Sequence, residues 1–472
     1  MKSLNMKSLS MKSLSMKSLS GKRIHFIGIG GSGMSGLARI ALDDGITVSG
    51  SDSKDSSVLT ALTALGARVS TSHSATNLTD VDVVIFSTAI STTNPEYVEA
   101  QRLGLPLLTR AKALALLMDG KIKIAVAGTH GKTTTSSMAT VAFQSCGADP
   151  SFAIGGTLTA SGANAHRGTG KFFIAEADES DGSFIEYHPD AAIVTNIEHD
   201  HVDFFATPEA VTQAFADFAK TIHADGVLVY CADDQGSHAL GQSMTHCRTI
   251  SYGVTDGSAL MIDQIELTAQ GSRARALWNS TVVGYLELSV PGHHNLLNAA
   301  GALALGLTLE LNPTLLLNGL ASFRGAGRRF ELKSTLHGIR IIDDYGHHPT
   351  EISVTLDAAR RYADSGRVIV VFQPHRYSRT KAFLDDFAVA LDKADDVTLL
   401  EIYAASEQPI PGVSSSLIVE RMKRGTFLPN FADAADRIVE MARPGDVILT
   451  LGAGDVNSLA GIIAEGISKK NS

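Results

Sequence analysis

Gly128-Thr129-His130-Gly131-Lys132-Thr133-Thr134-Thr135 follows directly on the apolar stretch Ile122–Ala127 and opens a segment of helical character. A buried strand, a glycine turn with inward-pointing N–H groups, and a lysine and hydroxyl at a helix N-terminus make a cradle for a nucleoside triphosphate and its magnesium ion. The run departs from the common pattern G-x-x-x-x-G-K-[ST], because Val126 stands where the first glycine belongs. The loop is a shortened variant.

It sits in the middle of 472 residues, more than one hydrophobic core normally serves, so two or three domains are expected. Hydrophobic residues at 44% and charged residues at 19% describe a globular chain, neither disordered nor stapled by disulfides. A net charge of -9 excludes a general nucleic-acid binder, and acidic ligands must be met by local basic groups. Cys146, Cys231 and Cys247 show no C-x-x-C spacing, which suits reduced thiols in a cytoplasmic protein and no structural metal on cysteine. No apolar run is long enough for membrane insertion. Residues 1–20 repeat Met-Lys-Ser-Leu at a spacing of five, with lysines throughout and no continuous apolar centre; they read as a low-complexity disordered extension, not a signal peptide.

Alternating strand-like and helix-like runs indicate an α/β chain of three domains, each on a mostly parallel sheet. Residues 21–119 form a Rossmann-like N-terminal domain, 120–331 a P-loop ATPase domain with a β-rich stretch over 248–290, and 332–472 a Rossmann-like C-terminal domain. A linker is expected over 323–333. In the first domain, strand Arg23–Ile27 runs into Gly28-Ile29-Gly30-Gly31-Ser32-Gly33 and a helix from Met34, the dinucleotide-binding pattern. Asp52 follows the second strand at the distance where a carboxylate meets a ribose. Alone, this unit suggests a nicotinamide dehydrogenase.

Polar residues just after apolar strands face the ligand crevice of an open parallel sheet. After 172–175 comes Glu176-Ala177-Asp178-Glu179-Ser180-Asp181, where Glu176 joins Thr133 as a magnesium ligand or belongs to a solvated acidic loop. After 191–195, His199 and His201 stand among carboxylates; His201 is the preferred ligand of a second metal ion or a proton acceptor, a run that a zinc hydrolase would also use. The runs 343–351 and 373–380 follow the first two strands expected in the last domain. If these strands are neighbours, His348, His375, Arg376 and Arg379 meet in a basic pocket for a small carboxylate. Asn295, at a helix start, either contacts a base edge or caps the helix. Arg328 and Arg329 in the linker are placed to clamp phosphates when domains close.

Gly-Thr-His-Gly-Lys-Thr-Thr, Glu-Ala-Asp-Glu-Ser-Asp, Thr-Asn-Ile-Glu-x-Asp-His, His-Asn-x-x-Asn, Gly-Arg-Arg-Phe and Asp-Asp-Tyr-Gly-His-His-Pro-Thr-Glu occur in the order that resembles the Mur ligases, ATP-dependent amide-forming enzymes of peptidoglycan precursor synthesis. The Gly28 to Gly36 run and the Gln-Pro-His-Arg-Tyr-Ser-Arg-Thr run resemble the branch that adds L-alanine to UDP-N-acetylmuramate. The resemblance implies that Gly28, Gly30, Gly31, Ser32, Gly33 and Met34 hold the UDP phosphates, with Asp52 near the ribose and His73 near the uracil; this resolves the dehydrogenase signal. It implies ATP at Gly128, Thr129, His130, Gly131, Lys132, Thr133 and Thr134, with Asn295, Arg329 and Asp344. Magnesium falls to Thr133, Glu176 and His201, and L-alanine to Tyr345, His348, His375, Arg376 and Arg379. Lys132, Glu176, His201, His348 and Arg376 would carry the chemistry. Several family members place a carbamylated lysine fifteen residues after this histidine; Ala216 stands there, as the alanine-adding branch implies. Monomer and homodimer both remain open.

Overall fold

The computed structural model describes Leu19 and residues 21–470. The N-terminal repeat, Leu19 apart, lies outside the described residues; Leu19 itself is buried against the first domain's core. The first sheet has five parallel strands in the order Arg68–Ser70, Thr47–Ser51, Arg23–Ile27, Val83–Phe86 and Leu107–Thr109. Strand Arg23–Ile27 is buried from its second residue onward, as expected of a central strand covered on both faces. Its neighbours lead away in opposite directions, so the crevice opens at its carboxyl end, where the glycine run begins.

The second sheet has ten strands. From one edge they run Thr281–Leu288, Ser272–Trp278, Leu260–Leu267, Arg248–Gly253, Val227–Cys231, Ala191–Val194, Ile122–Ala127, Phe172–Glu176, Ser151–Ala153 and Ala165–His166. The three C-terminal strands pair antiparallel, which makes this part β-rich. Ile122–Ala127 lies between Ala191–Val194 and Phe172–Glu176, both parallel to it, so the phosphate loop and both polar runs emerge at one edge. The helix Lys132–Ser145 packs against the helices His293–Thr308 and Pro313–Ser322.

The third sheet runs Glu331–Leu336, Ile339–Asp344, Val447–Leu451, Val368–Phe372, Asp396–Leu399 and Thr426–Phe427. Two expectations are corrected here. The segment expected as linker ends in an antiparallel edge strand from Glu331, so Ile339–Asp344 is the second strand of this sheet. Ile339–Asp344 and Val368–Phe372 are not neighbours: Val447–Leu451 inserts between them and pairs with both. The crossover through the helix Pro349–Ala363 skips one place, which a strand distant in sequence fills.

Candidate active site

The phosphate loop is shaped by two glycines in left-handed backbone. At Gly128, φ is +134° and a Cβ would run into the Thr195 hydroxyl; at Gly131, φ is +82° and a Cβ would lie 2.6 Å from Asn298 Oδ1. Val126 is the fully buried interior of the preceding strand, so the turn starts two residues later than in the common pattern. Lys132 Nζ donates to the carbonyls of Gly128 at 2.7 Å and Thr129 at 3.0 Å, and pairs with Glu179 at 2.8 Å. Burial opposes its charge, but Glu179, Asp178 and Glu176 together hold its pKa above the ordinary value. The ammonium is fixed and cationic.

Thr133 Oγ1 donates to Glu176 at 2.9 Å, and Glu176 also accepts the Gly155 N–H at 2.7 Å. A hydroxyl and a carboxylate held together at a helix N-terminus fit the hard-oxygen preference of magnesium. His201 faces the same crevice, with Nε2 3.4 Å from Glu179. Arg329 reaches across from the linker to Thr133 Oγ1 at 3.4 Å, and its guanidinium lies 5.0 Å from the Tyr345 ring centre. Arg328 lies over the same ring at 5.0 Å, but its donors are committed elsewhere. Its guanidinium is taken by Asp343 at 3.0 Å and by the carbonyls of Gly452 and Gly454, so one linker arginine, not two, is free to meet phosphate.

Two cavities adjoin at this loop, and a third shares Glu176, Asp178 and Ser180 with one of them. One of about 230 Å³ runs past Gly131, His294, Asn295, Asn298, Arg329 and Asp344. Asn295 Nδ2 donates to the Pro291 carbonyl at 2.7 Å, and the helix N-cap is Gly292, so Asn295 is no side-chain cap. His294 is pushed down to about 4 by burial and stays neutral. Asp344 accepts the N–H groups of Phe330 and Gly346, and burial pushes it up to about 6.

The second, of about 300 Å³, is lined by Gly31, Ser32, Gly33, Met34, Arg110 and Asp178. Gly28 and Gly30 lie behind it: Gly28 N–H donates to the Ser51 carbonyl and Gly30 N–H to Asp52 at 2.9 Å. His73 Nδ1 lies 2.9 Å from Ser51 Oγ and 3.4 Å from Glu96. Glu96, absent from the sequence reading, is fully buried; burial opposes its charge, but bonds from His25, Ser51 and Asn77 hold it down at about 2. Its only local signal is its place in the first turn after the Asn94 cap.

The third, of about 830 Å³, is the central crevice, where Lys132, Thr133 and His201 face His347, His375, Arg376 and Arg379. His348 is not among its lining residues. It caps the helix Pro349–Ala363, is 2% exposed, and packs its ring 4.8 Å from His130 and 4.9 Å from Phe383. The cap turns it inward and leaves its neighbour His347 in the crevice, 5.8 Å from the His375 ring. The two crevice histidines of the C-terminal domain are neutral: burial with nearby cations pushes His375 down to about 2, and burial pushes His347 to about 3. Neither arginine is free of partners. Arg379 pairs with Asp200 at 2.8 Å and Arg376 with Asp203, both aspartates from the central domain. Despite its burial, Asp200 is held well below the ordinary carboxylate range by Arg379.

Three family profiles cover most of the chain: the Mur ligase family catalytic domain over residues 23–122, the Mur ligase middle domain over 126–306, and the Mur ligase glutamate ligase domain over 328–454. A UDP-N-acetylmuramate--L-alanine ligase of Mycobacterium sp. (strain JLS) is 48% identical over 452 residues, 93% of both chains. The enzyme of that name from Renibacterium salmoninarum is also 48% identical, over 94% of this chain and 96% of its own. A crystal structure of UDP-N-acetylmuramate-alanine ligase from Thermotoga maritima superposes with a TM-score of 0.81 at 28% identity, over 95% of this chain and all of that one. With identity and architecture agreeing along nearly its whole length, the chain belongs to the Mur ligase family.

Proposed function

We propose that this chain joins L-alanine to the lactyl carboxylate of UDP-N-acetylmuramate, converting ATP to ADP and phosphate, as a step of peptidoglycan precursor synthesis in the cytoplasm. The observation that carries this reading is the shared wall of two cavities. Glu176, Asp178 and Ser180 line both the first domain's cavity and the central crevice, so the phosphate loop looks toward a sugar nucleotide on one side and a small amino acid on the other.

A carboxylate is a poor electrophile. Its oxygen attacks the γ-phosphorus, ADP departs, and the amine of alanine then attacks the acyl carbon of the resulting acyl phosphate, releasing phosphate and one proton. Lys132 and Arg329 meet the charge that develops on the phosphate oxygens. Magnesium on Thr133 and Glu176 would neutralise further charge there, with His201 beside it. The base lies along Asn295 and Asp344. In the first domain, Gly31 to Met34 face the UDP phosphates, Gly28, Gly30 and Asp52 support that turn, and His73 stands at the nucleoside end. Alanine is held by Arg376 and Arg379 with Tyr345, His347 and His375, while His348 supports the turn from behind.

The test is ADP release with UDP-N-acetylmuramate and each amino acid in turn. Release is expected to require both the sugar nucleotide and L-alanine. Release that needs neither, or that needs a tripeptide in place of alanine, would overturn the proposal.

A further inference from the structure

His130 belongs to the phosphate loop, yet its side chain leaves the loop. Its main chain is clamped to the central domain: the N–H donates to Asn196 Oδ1 at 2.8 Å, and the carbonyl accepts from Thr195 Oγ1 at 2.6 Å and Asn196 Nδ2 at 3.0 Å. The imidazole reaches Glu198 through Nε2 at 3.0 Å and Glu351 of the C-terminal domain through Nδ1 at 3.2 Å. Both nitrogens face carboxylates, so both act as donors and the ring is a cation; its pKa is raised to about 9 by Glu198 and Glu351 in spite of burial. Glu351 in turn accepts the main-chain N–H groups of His347 at 2.9 Å and His348 at 3.3 Å. Beside it, Thr350 Oγ1 donates to Glu198 at 2.6 Å.

These bonds form one route. It starts in the loop that turns around the phosphates, passes through one imidazolium and one carboxylate, and ends in the turn that sets His347 in the amino-acid crevice. We propose that His130 is a positioning residue that couples nucleotide in the phosphate loop to assembly of the amino-acid pocket, through its contact with Glu351. A loop seated on phosphate presents the imidazolium where Glu351 meets it, and Glu351 then holds the His347-His348 turn in its binding geometry. Coupling of this kind is reciprocal. This inference rests on the ligase reading above.

The experiment measures L-alanine binding by calorimetry to the full chain, loaded with UDP-N-acetylmuramate, with and without a non-hydrolysable ATP analogue and magnesium. For the unaltered chain, the analogue is expected to tighten alanine binding about tenfold or more, within the usual range of coupling between sites. His130→Gln is expected to reduce that factor to below about twofold, with any loss of the analogue's own affinity in the absence of alanine several-fold smaller than the loss of alanine affinity. Glu351→Gln is expected to lose the same coupling from the other domain, and the double variant to be no worse than either single one. Melting curves identify any variant that does not fold; Glu351→Asp, which keeps the charge but shortens the reach, then serves in its place and is expected to give a partial loss. Full coupling in a folded His130→Gln chain overturns the proposal, as does a loss of analogue affinity equal to the loss of alanine affinity, which would make His130 a nucleotide contact only. If the unaltered chain binds no alanine in any state and forms no product, it is the ligase reading that has failed.

Discussion

The joint between the first and central domains and the joint between the central and C-terminal domains are built from different materials. At the first, one apolar cluster runs through both domains, from Leu37, Leu114, Leu117 and Met118 to Phe173, Ala177 and Phe184, and the helix Arg110–Leu117 packs on the short helix Ser183–Tyr187. Arg167 with Asp44 at 2.7 Å and Asn164 with the Ser32 carbonyl lie at its margin. At the second, the C-terminal domain keeps its apolar clusters to itself and meets the central domain mainly through polar contacts, the pairs Arg379 with Asp200, Arg376 with Asp203 and His130 with Glu351 and the hydrogen bond of Thr350 to Glu198, with the ring contacts His130–His348 and His199–Phe383 beside them. Apolar burial holds two bodies in one arrangement, whereas ion pairs exchange for water and ligand charge. On this contrast the first joint is expected to act as a fixed wall of the active site and the second to be the part that opens.

Removing one partner of the buried pair at the second joint sharpens this contrast most. Arg379→Met leaves Asp200 without its cation, a loss of about 3–5 kcal/mol where it cannot be relieved. If this joint opens and lets water reach Asp200, the loss is expected to fall on catalysis: kcat/KM for alanine drops by about 10² or more, and the main calorimetric transition moves by less than about 2 °C. A fall in melting temperature as large as that of a core variant would break the comparison. At the first joint the pattern reverses. Leu117→Ala is expected to destabilise the protein by about 2–4 kcal/mol, lowering the main transition while kcat at permissive temperature stays within about threefold.

Salt gives a smaller and reversible version of the same contrast. Raising sodium chloride toward 1 M shortens the screening length to about 3 Å, so the radius of gyration from solution scattering is expected to rise as the C-terminal domain swings out. An identical scattering curve at both salt concentrations would contradict an ionic second joint. The smallest effect comes from pH. His130 has an ordinary value of 6.5 and is raised to about 9 here, so its contribution to closure is full below about 6.5 and is lost as pH rises through about 9. The closed fraction, read by scattering, is expected to decline between pH 7.5 and 9.5 in the unaltered chain and to stay flat over that range in His130→Gln.

How much of this was legible in the residues divides along the same line. Local signals told the truth: Gly128 and Gly131 mark a turn that only glycine fits, and the acidic run that begins at Glu176 starts beside Thr133. What pairs with what across domains was hidden, because Arg379 and Asp200 lie 179 residues apart and each alone reads as a surface ion. Strand adjacency was hidden for a related reason. Nothing near Ile339–Asp344 says that Val447–Leu451 will come back to lie against it. Which of His347 and His348 lines the crevice turned on a single cap, in which Glu351 and the His348 ring share the N–H groups of one turn.

Whether the phosphate loop serves a carboxylate or water is decided most directly by isotope transfer. UDP-N-acetylmuramate labelled with ¹⁸O in the lactyl carboxylate is incubated with ATP, magnesium, L-alanine and the protein, and the released phosphate is examined by mass spectrometry. The expected result is one ¹⁸O in each phosphate formed with product, since the oxygen that attacks phosphorus leaves with it when alanine opens the acyl phosphate. Unlabelled phosphate alongside ligated product would contradict the acyl-phosphate route.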